Sequence, residues 1–417
     1  MLASYLVAKI FQGASLLVIS VYGNYALDSS TYVLLMSVSS LMAFAHTIDA
    51  GLSVNLLHLA AKNSYPRKDF DLAELYSIAH HSYNFLGSAY FILILPIGLF
   101  YLSQLGELNI SQVLIYIFNS FCTASYVSIL GKAAYFEGVD PKKEIIRYRA
   151  IATFAAFNVI FMLFIFKTDV VLITPVISFL FFFLTFRYLF RSDEGFRIGE
   201  LLGFRKTIKL LFGKYFKNQF NIIVAWIAGY LLLHVPLLIG ALRFDAEEIQ
   251  KYILASVLLF NALGFSNIFI QPYINDLAKS LHERNLTQLK QILFSTLKRI
   301  LICFVILFSL LTVALFITLV NMELFQIFLC SLISWLLVTF VFVLAFVLRS
   351  QQGEQMQFVS LFFATVYILF MFSNVPDSSK DLSFGFTFIC LLYLLVAVFT
   401  FVKKFGSVFY MSSDGVS

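Results

Sequence analysis

The chain has 417 residues, of which 60% are hydrophobic and only 12% charged, and its mean hydropathy is +0.89. Soluble domains carry about 25% charged residues, so the composition excludes an ordinary soluble enzyme. The net charge of +6 would suggest nucleic acid in a soluble protein; here its placement along the chain matters more than its sum, and no nucleic-acid partner is expected.

Apolar runs separated by polar breaks define about twelve spans, near 3–23, 31–60, 77–102, 112–135, 148–166, 170–190, 218–242, 250–274, 296–318, 324–348, 355–373 and 384–402. About 20 apolar residues suffice for a helix to cross a bilayer. Helices are the spanning element because each closes its own backbone hydrogen bonds in hydrocarbon. The predicted class is an all-α polytopic membrane protein. The 50 Phe and 21 Tyr fit apolar spans and interfacial belts. The first apolar run is too long, and lacks a small-residue cleavage site, for a removable signal peptide. Cys122, Cys303, Cys330 and Cys390 lie in or near apolar runs without paired spacing, which points to neither a disulfide framework nor a metal site.

Basic residues set the orientation. Counted over alternate loops, 24 Lys and Arg fall on one side and four, Lys167, Arg243, Lys251 and Lys380, on the other; Lys9 lies inside the first span. Both termini are therefore expected to face the cytoplasm. The outer loops are short, leaving no extracytoplasmic domain for a catalytic centre. The longest cytoplasmic break divides the chain into a six-helix lobe over 1–191, a linker over 192–217, a second six-helix lobe over 218–404 and a tail over 405–417. Within the linker, ELLGFRKTIKLLFGKYF mixes apolar and basic residues at helical spacing and reads as an amphipathic helix on the anionic inner leaflet. A shift of 217 positions aligns Ala61, Lys62, Arg67 and Leu72 with Ala278, Lys279, Arg284 and Leu289. Two parallel repeats would produce that match.

Polar residues concentrate in spans one, two, seven and eight. Asp49 is the carboxylate placed near the middle of an apolar span, with His46 three residues before it. Burying such a group costs roughly 2.5–3.5 kcal/mol even on the most lenient scale, so it faces protein or water. Lys9 and Gln12 stand in span one and Lys62 at the exit of span two. Asn218, Gln219 and Asn221 open span seven, which also holds His234. Gly264, Asn267, Gln271 and Asn275 form one stripe of span eight, next to Pro272. Each has a plainer reading: Asn and Gln as interhelical glue worth about 0.6 kcal/mol, Lys9 as a snorkelling side chain, Lys62 as an orientation-setting charge, and the histidines as neutral bundle residues.

The Asp28-Ser-Ser-Thr-Tyr32 turn into span two, the Asp49-Ala-Gly51-Leu52 segment, and the Pro272-Tyr273 end of span eight with its Leu-Ala-Lys279 exit together resemble the polysaccharide (Wzx-type) flippases of the multidrug/oligosaccharidyl-lipid/polysaccharide (MOP) exporter superfamily. That resemblance implies two six-helix lobes and a bacterial inner-membrane location. It also implies a lipid-linked oligosaccharide on undecaprenyl pyrophosphate as substrate. Transport would be driven by an H+ or Na+ gradient without a cofactor, alongside a polysaccharide polymerase and a chain-length regulator, with membrane lipids as the remaining partners. Under it, Lys9, Gln12, Lys62, Asn218, Asn221, Asn267, Gln271 and Asn275 are the candidate substrate-cavity residues, and Asp49 with His46 the candidate ion-coupling pair. No catalytic residue is expected. The alternatives are a cation-coupled multidrug exporter of the same superfamily and, from another class, a membrane polysaccharide polymerase or ligase. The latter typically carries a large extracytoplasmic loop, which this chain lacks. No Walker motif occurs, so ATP hydrolysis is not expected.

Overall fold

The computed structural model describes Phe11, Ser15, residues 18–49, 52–53, Leu56, Ala60 and residues 72–139, 144–166, 169–192, 203–210, 216–257, 286–318, 322–349, 356–373 and 375–410. The described residues contain no strand. A π-helical turn (Val18–Tyr22) and a short helix (Gly23–Ala26) precede α1 (Ser29–Asp49), α2 (Leu72–Leu105), α3 (Ile110–Val139) and α4 (Glu144–Phe166). After a 3₁₀ turn (Asp169–Ile173) come α5 (Thr174–Ser192), α6 (Phe204–Leu210), α7 (Phe216–Leu233) and α8 (Val235–Arg243). Residues 246–257 are also helical, followed by α9 (Leu286–Thr318), α10 (Met322–Arg349), α11 (Gln357–Phe372) and α12 (Ser379–Tyr410).

The expected spans at 77–102, 112–135, 148–166, 296–318, 324–348 and 384–402 lie wholly within helices. Six helical stretches among the described residues are long and apolar enough to cross a membrane: Ser29–Asp49, Glu74–Leu105, Ile110–Val139, Ile223–Arg243 taken across the turn at His234, Met322–Ala345 and Ser379–Lys403. The span expected at 218–242 is two helices, broken at His234. Pro236 explains the break, because a residue without an N–H fits only the first turn of a new helix. The amphipathic segment expected over 200–216 is helical at Phe204–Leu210 among the described residues.

The chain forms two compact units, Met1–Tyr230 and Leu231–Ser417. In the first, α2 and α3 lie side by side, and glycines let them approach. A Cβ on Gly87 would fall 2.6 Å from the Ala124 carbonyl oxygen, and one on Gly131 would fall 2.1 Å from the Tyr83 ring. Such small-residue contacts hold membrane helices together where no hydrophobic drive between them exists. Beside Pro96, which interrupts the ladder of α2, the Tyr116 hydroxyl donates to the Ile94 carbonyl at 2.8 Å. The core combines Ile78, Ala79 and Tyr83 of α2, Leu130, Ala134 and Tyr135 of α3, and Phe182 and Phe186 of α5.

In the second unit α12 packs against α10 and α11. Trp335 is buried and stacks on Phe304 at 6.0 Å, and the Tyr252 and Tyr367 hydroxyls share a hydrogen bond of 2.6 Å. One end of this unit is stitched by charge. Glu248 accepts from the Ser379 amide at 2.8 Å and from Lys251 at 3.0 Å, and Lys251 reaches Glu323 at 3.2 Å. Arg243 donates to the carbonyls of Met371 and Ser373 at the end of α11. Phe384, Phe388, Leu391, Leu395 and Phe399 form an exposed apolar stripe along α12, the face a helix presents to acyl chains.

Candidate functional site

Asp49 is the last residue of α1, and Leu52 and Ser53 beyond it are again helical. Asp49 is 6% exposed. Its Oδ1 accepts from the Tyr83 hydroxyl of α2 at 2.5 Å and from the Ser53 amide at 3.2 Å. Its Oδ2 accepts from the Ser53 hydroxyl at 2.7 Å. Tyr83, 1% exposed, reaches the carboxylate because Gly131 leaves room for its ring. Three helices therefore define one atom group: α1 carries the acid, α2 the donor, and α3 the gap that seats the donor.

This geometry answers how an acid survives in an apolar span. Hydrogen bonds to a charged group contribute about 1.5–3 kcal/mol each, and three donors converge here. A carboxylate offers about four lone-pair sites, so one remains open on Oδ2. The Ser53 hydroxyl can donate to the ionised acid or, by rotating, accept from the protonated one. The arrangement is chemically able to hold Asp49 in either state and to take up or release a proton.

His46 lies one turn before Asp49. It is exposed, with its ring edge-on to Phe179 at 5.8 Å and to Tyr126 at 6.4 Å. The sequence spacing placed the two residues close together; the structure gives one a buried and the other an open environment. Asn218 and Asn221 lie on α7, with their side chains outside the described residues. Lys9, Gln12, Lys62, Asn267, Gln271 and Asn275 lie outside the described residues altogether. No group of three or more His, Cys, Asp and Glu is placed to hold a metal ion among the described residues.

Sequence reasoning missed Tyr83 and Ser53. The available signal was Tyr76, Tyr83 and Tyr90, seven residues apart in α2 and so on one helical face. That face is the polar interior of the first unit. The Tyr90 hydroxyl donates to the Met42 sulfur at 3.6 Å, as does Thr123 at 3.2 Å. Tyr101 meets the Ser37 hydroxyl at 3.4 Å, and Tyr230 donates to the Ser40 carbonyl at 3.1 Å.

No protein-family model matches the chain, and no characterised sequence matches it. Solved structures do. An inward-facing multidrug resistance MATE family transporter of the MOP superfamily matches with a TM-score of 0.62 at 15% identity, covering 100% of this chain and 96% of that one. The lipid II flippase MurJ, in an inward closed conformation, matches with a TM-score of 0.63 at 13% identity, covering 100% and 92%. The fold is that of MOP-superfamily transporters. A MOP superfamily transporter from Pyrococcus furiosus, described by the reverse polarity of its binding pocket, matches at 0.55 and 13% identity over 97% and 96% of the two chains. At these identities the likeness carries the MOP fold alone. These structures are of transporters and a flippase, not enzymes.

Proposed function

We propose that this chain is a flippase that moves undecaprenyl-pyrophosphate-linked oligosaccharide, an O-antigen or related polysaccharide repeat unit, from the cytoplasmic to the periplasmic leaflet of a bacterial inner membrane. A sugar–pyrophosphate head cannot cross hydrocarbon unaided, since each hydroxyl would lose its water partners at several kcal/mol. Alternating access, with both termini cytoplasmic and an H+ or Na+ gradient as the energy source, would carry the head while the polyprenyl tail stays in lipid. Lys9, Gln12, Lys62, Asn218, Asn221, Asn267, Gln271 and Asn275 would replace the lost water partners. Asp49, with His46 one turn before it, would carry the coupling ion.

The observation that supports this reading best is Asp49 itself, the one buried carboxylate among the described residues, held by hydroxyl and amide donors rather than facing an open apolar pocket. A multidrug exporter with a cationic substrate would favour several buried acids. That second reading is kept because a MATE multidrug transporter shares the fold over the whole chain. Two assays separate them. The gene is expressed in a strain lacking its own O-antigen flippase and scored for surface polysaccharide, and in a pump-deficient strain scored for cationic-dye efflux. The flippase reading expects polysaccharide without efflux; efflux without polysaccharide would replace it by the exporter reading.

A further inference from the structure

Helix α6 presents three distinct faces. At about 100° per residue, Thr207 and Leu210 share one side. Thr207 is fully buried, its hydroxyl donating to the Gly203 carbonyl at 3.3 Å, and Leu210 packs against the core cluster of the first unit. Phe204 occupies a second side. It is 49% exposed and meets the His81 ring of α2 edge-on at 5.8 Å. Arg205, Lys206 and Lys209 are all exposed and gather on the third.

Nothing within α6 offsets that charge, since FRKTIKL contains no acid. Like charges at i, i+4, as Arg205 and Lys209 are, destabilise a helix, and a helix this short is far below the length that is stable alone in water. Docking through Thr207 and Leu210 supplies part of the stabilisation, and an anionic surface opposite the three cations would supply the rest. A half-exposed Phe beside a basic sector is also the composition of helices that lie at the boundary between headgroups and acyl chains.

We propose that α6 is a recognition surface for anionic phospholipid headgroups, docked on the bundle so that Phe204 enters the acyl boundary while Arg205, Lys206 and Lys209 meet headgroup phosphates. Because the helix is already fixed on α2, lipid binds a preformed surface and the ordering cost is small. The positive side of the chain, where α6 falls, is the side facing the anionic leaflet.

The test needs no transport substrate, so its outcome is independent of the flippase reading. The full chain, purified in neutral detergent, is titrated with phosphatidylglycerol or phosphatidylcholine, and bound lipid is counted by native mass spectrometry. Phosphatidylglycerol should bind preferentially. Arg205→Gln/Lys206→Gln/Lys209→Gln should weaken it by about fivefold per charge at low ionic strength, roughly a hundredfold in all. The charge-keeping Arg205→Lys/Lys206→Arg/Lys209→Arg should retain binding, and Phe204→Ala should weaken it with the charges intact. Equal affinity for the two lipids, or unchanged phosphatidylglycerol binding in the glutamine variant, would overturn the proposal. So would binding of a poly-glutamate peptide that phosphatidylglycerol fails to displace, which would make the partner an acidic protein segment.

Discussion

The hydroxyl of Tyr83 decides whether Asp49 is a tolerated acid or a defect. Tyr83→Phe removes one donor and leaves the packing against Gly131 unchanged. It should cost about 1.5–3 kcal/mol, the range for a hydrogen bond to a charged group, read as a lowered midpoint of thermal unfolding in detergent. An unchanged midpoint would mean that the contact carries no weight. Asp28 makes a simpler case outside the membrane. Its carboxylate accepts from the Thr31 amide at 2.9 Å and caps α1, and that hydrogen bond holds its pKa below the ordinary 3.8. A group with a depressed folded pKa stabilises above its unfolded value and loses that contribution as pH falls through the folded one. Asp28→Ala should therefore cost about 1 kcal/mol at pH 7, and the difference from wild type should shrink below pH 4. Asp49 was legible in sequence as a lone acid in an apolar run. Its partner was not, because Tyr83 lies 34 residues away and the contact depends on where Gly131 leaves space, which is a tertiary fact.

At the scale of elements, hydropathy located long helices among the described residues but not their ends. The run expected at 77–102 is helical from Leu72 to Leu105, since backbone hydrogen bonding continues past the hydrocarbon edge where polar side chains take over. The break at His234 was visible only as a proline, and a proline in a membrane span is compatible with a kink as well as a stop. The charged stitching of the second unit was not legible, because Glu248 and Lys251, one turn apart, are joined to Glu323 and Ser379 from two other stretches of the chain. Glu248 shows its weight. Partial burial pushes its pKa up, but the Ser379 amide and the Lys251 ammonium outweigh that and hold it below the ordinary 4.5. Its contribution is complete above about pH 4.5 and fades as pH drops through the lower folded value. Glu248→Gln should lower the unfolding midpoint at pH 7 by the equivalent of about 1 kcal/mol, with little difference between the proteins below pH 4. A constant difference across that range would show that charge is not the cause.

For the whole molecule, the alternation of apolar runs and the lopsided distribution of Lys and Arg were enough to expect an all-helical membrane protein, and the fold, like that of the MATE and MurJ structures, agrees with that. The proposed substrate rests on a resemblance carried by the short patterns at Asp28-Ser-Ser-Thr-Tyr32, Asp49-Ala-Gly51-Leu52 and Pro272-Tyr273 with its Leu-Ala-Lys279 exit. Such patterns say little about which side chains line a path, because that depends on helix rotation, and rotation is set by packing. Under the proposed function, Asp49 couples an ion gradient to translocation. The direct measurement is surface polysaccharide in a flippase-deficient strain expressing wild type, Asp49→Asn or Asp49→Glu at matched membrane levels. Wild type should restore polysaccharide, Asp49→Glu should retain a measurable part of it, and Asp49→Asn should drop it at least tenfold. Full restoration by Asp49→Asn would contradict the claim and leave Asp49 as a packing residue of α1.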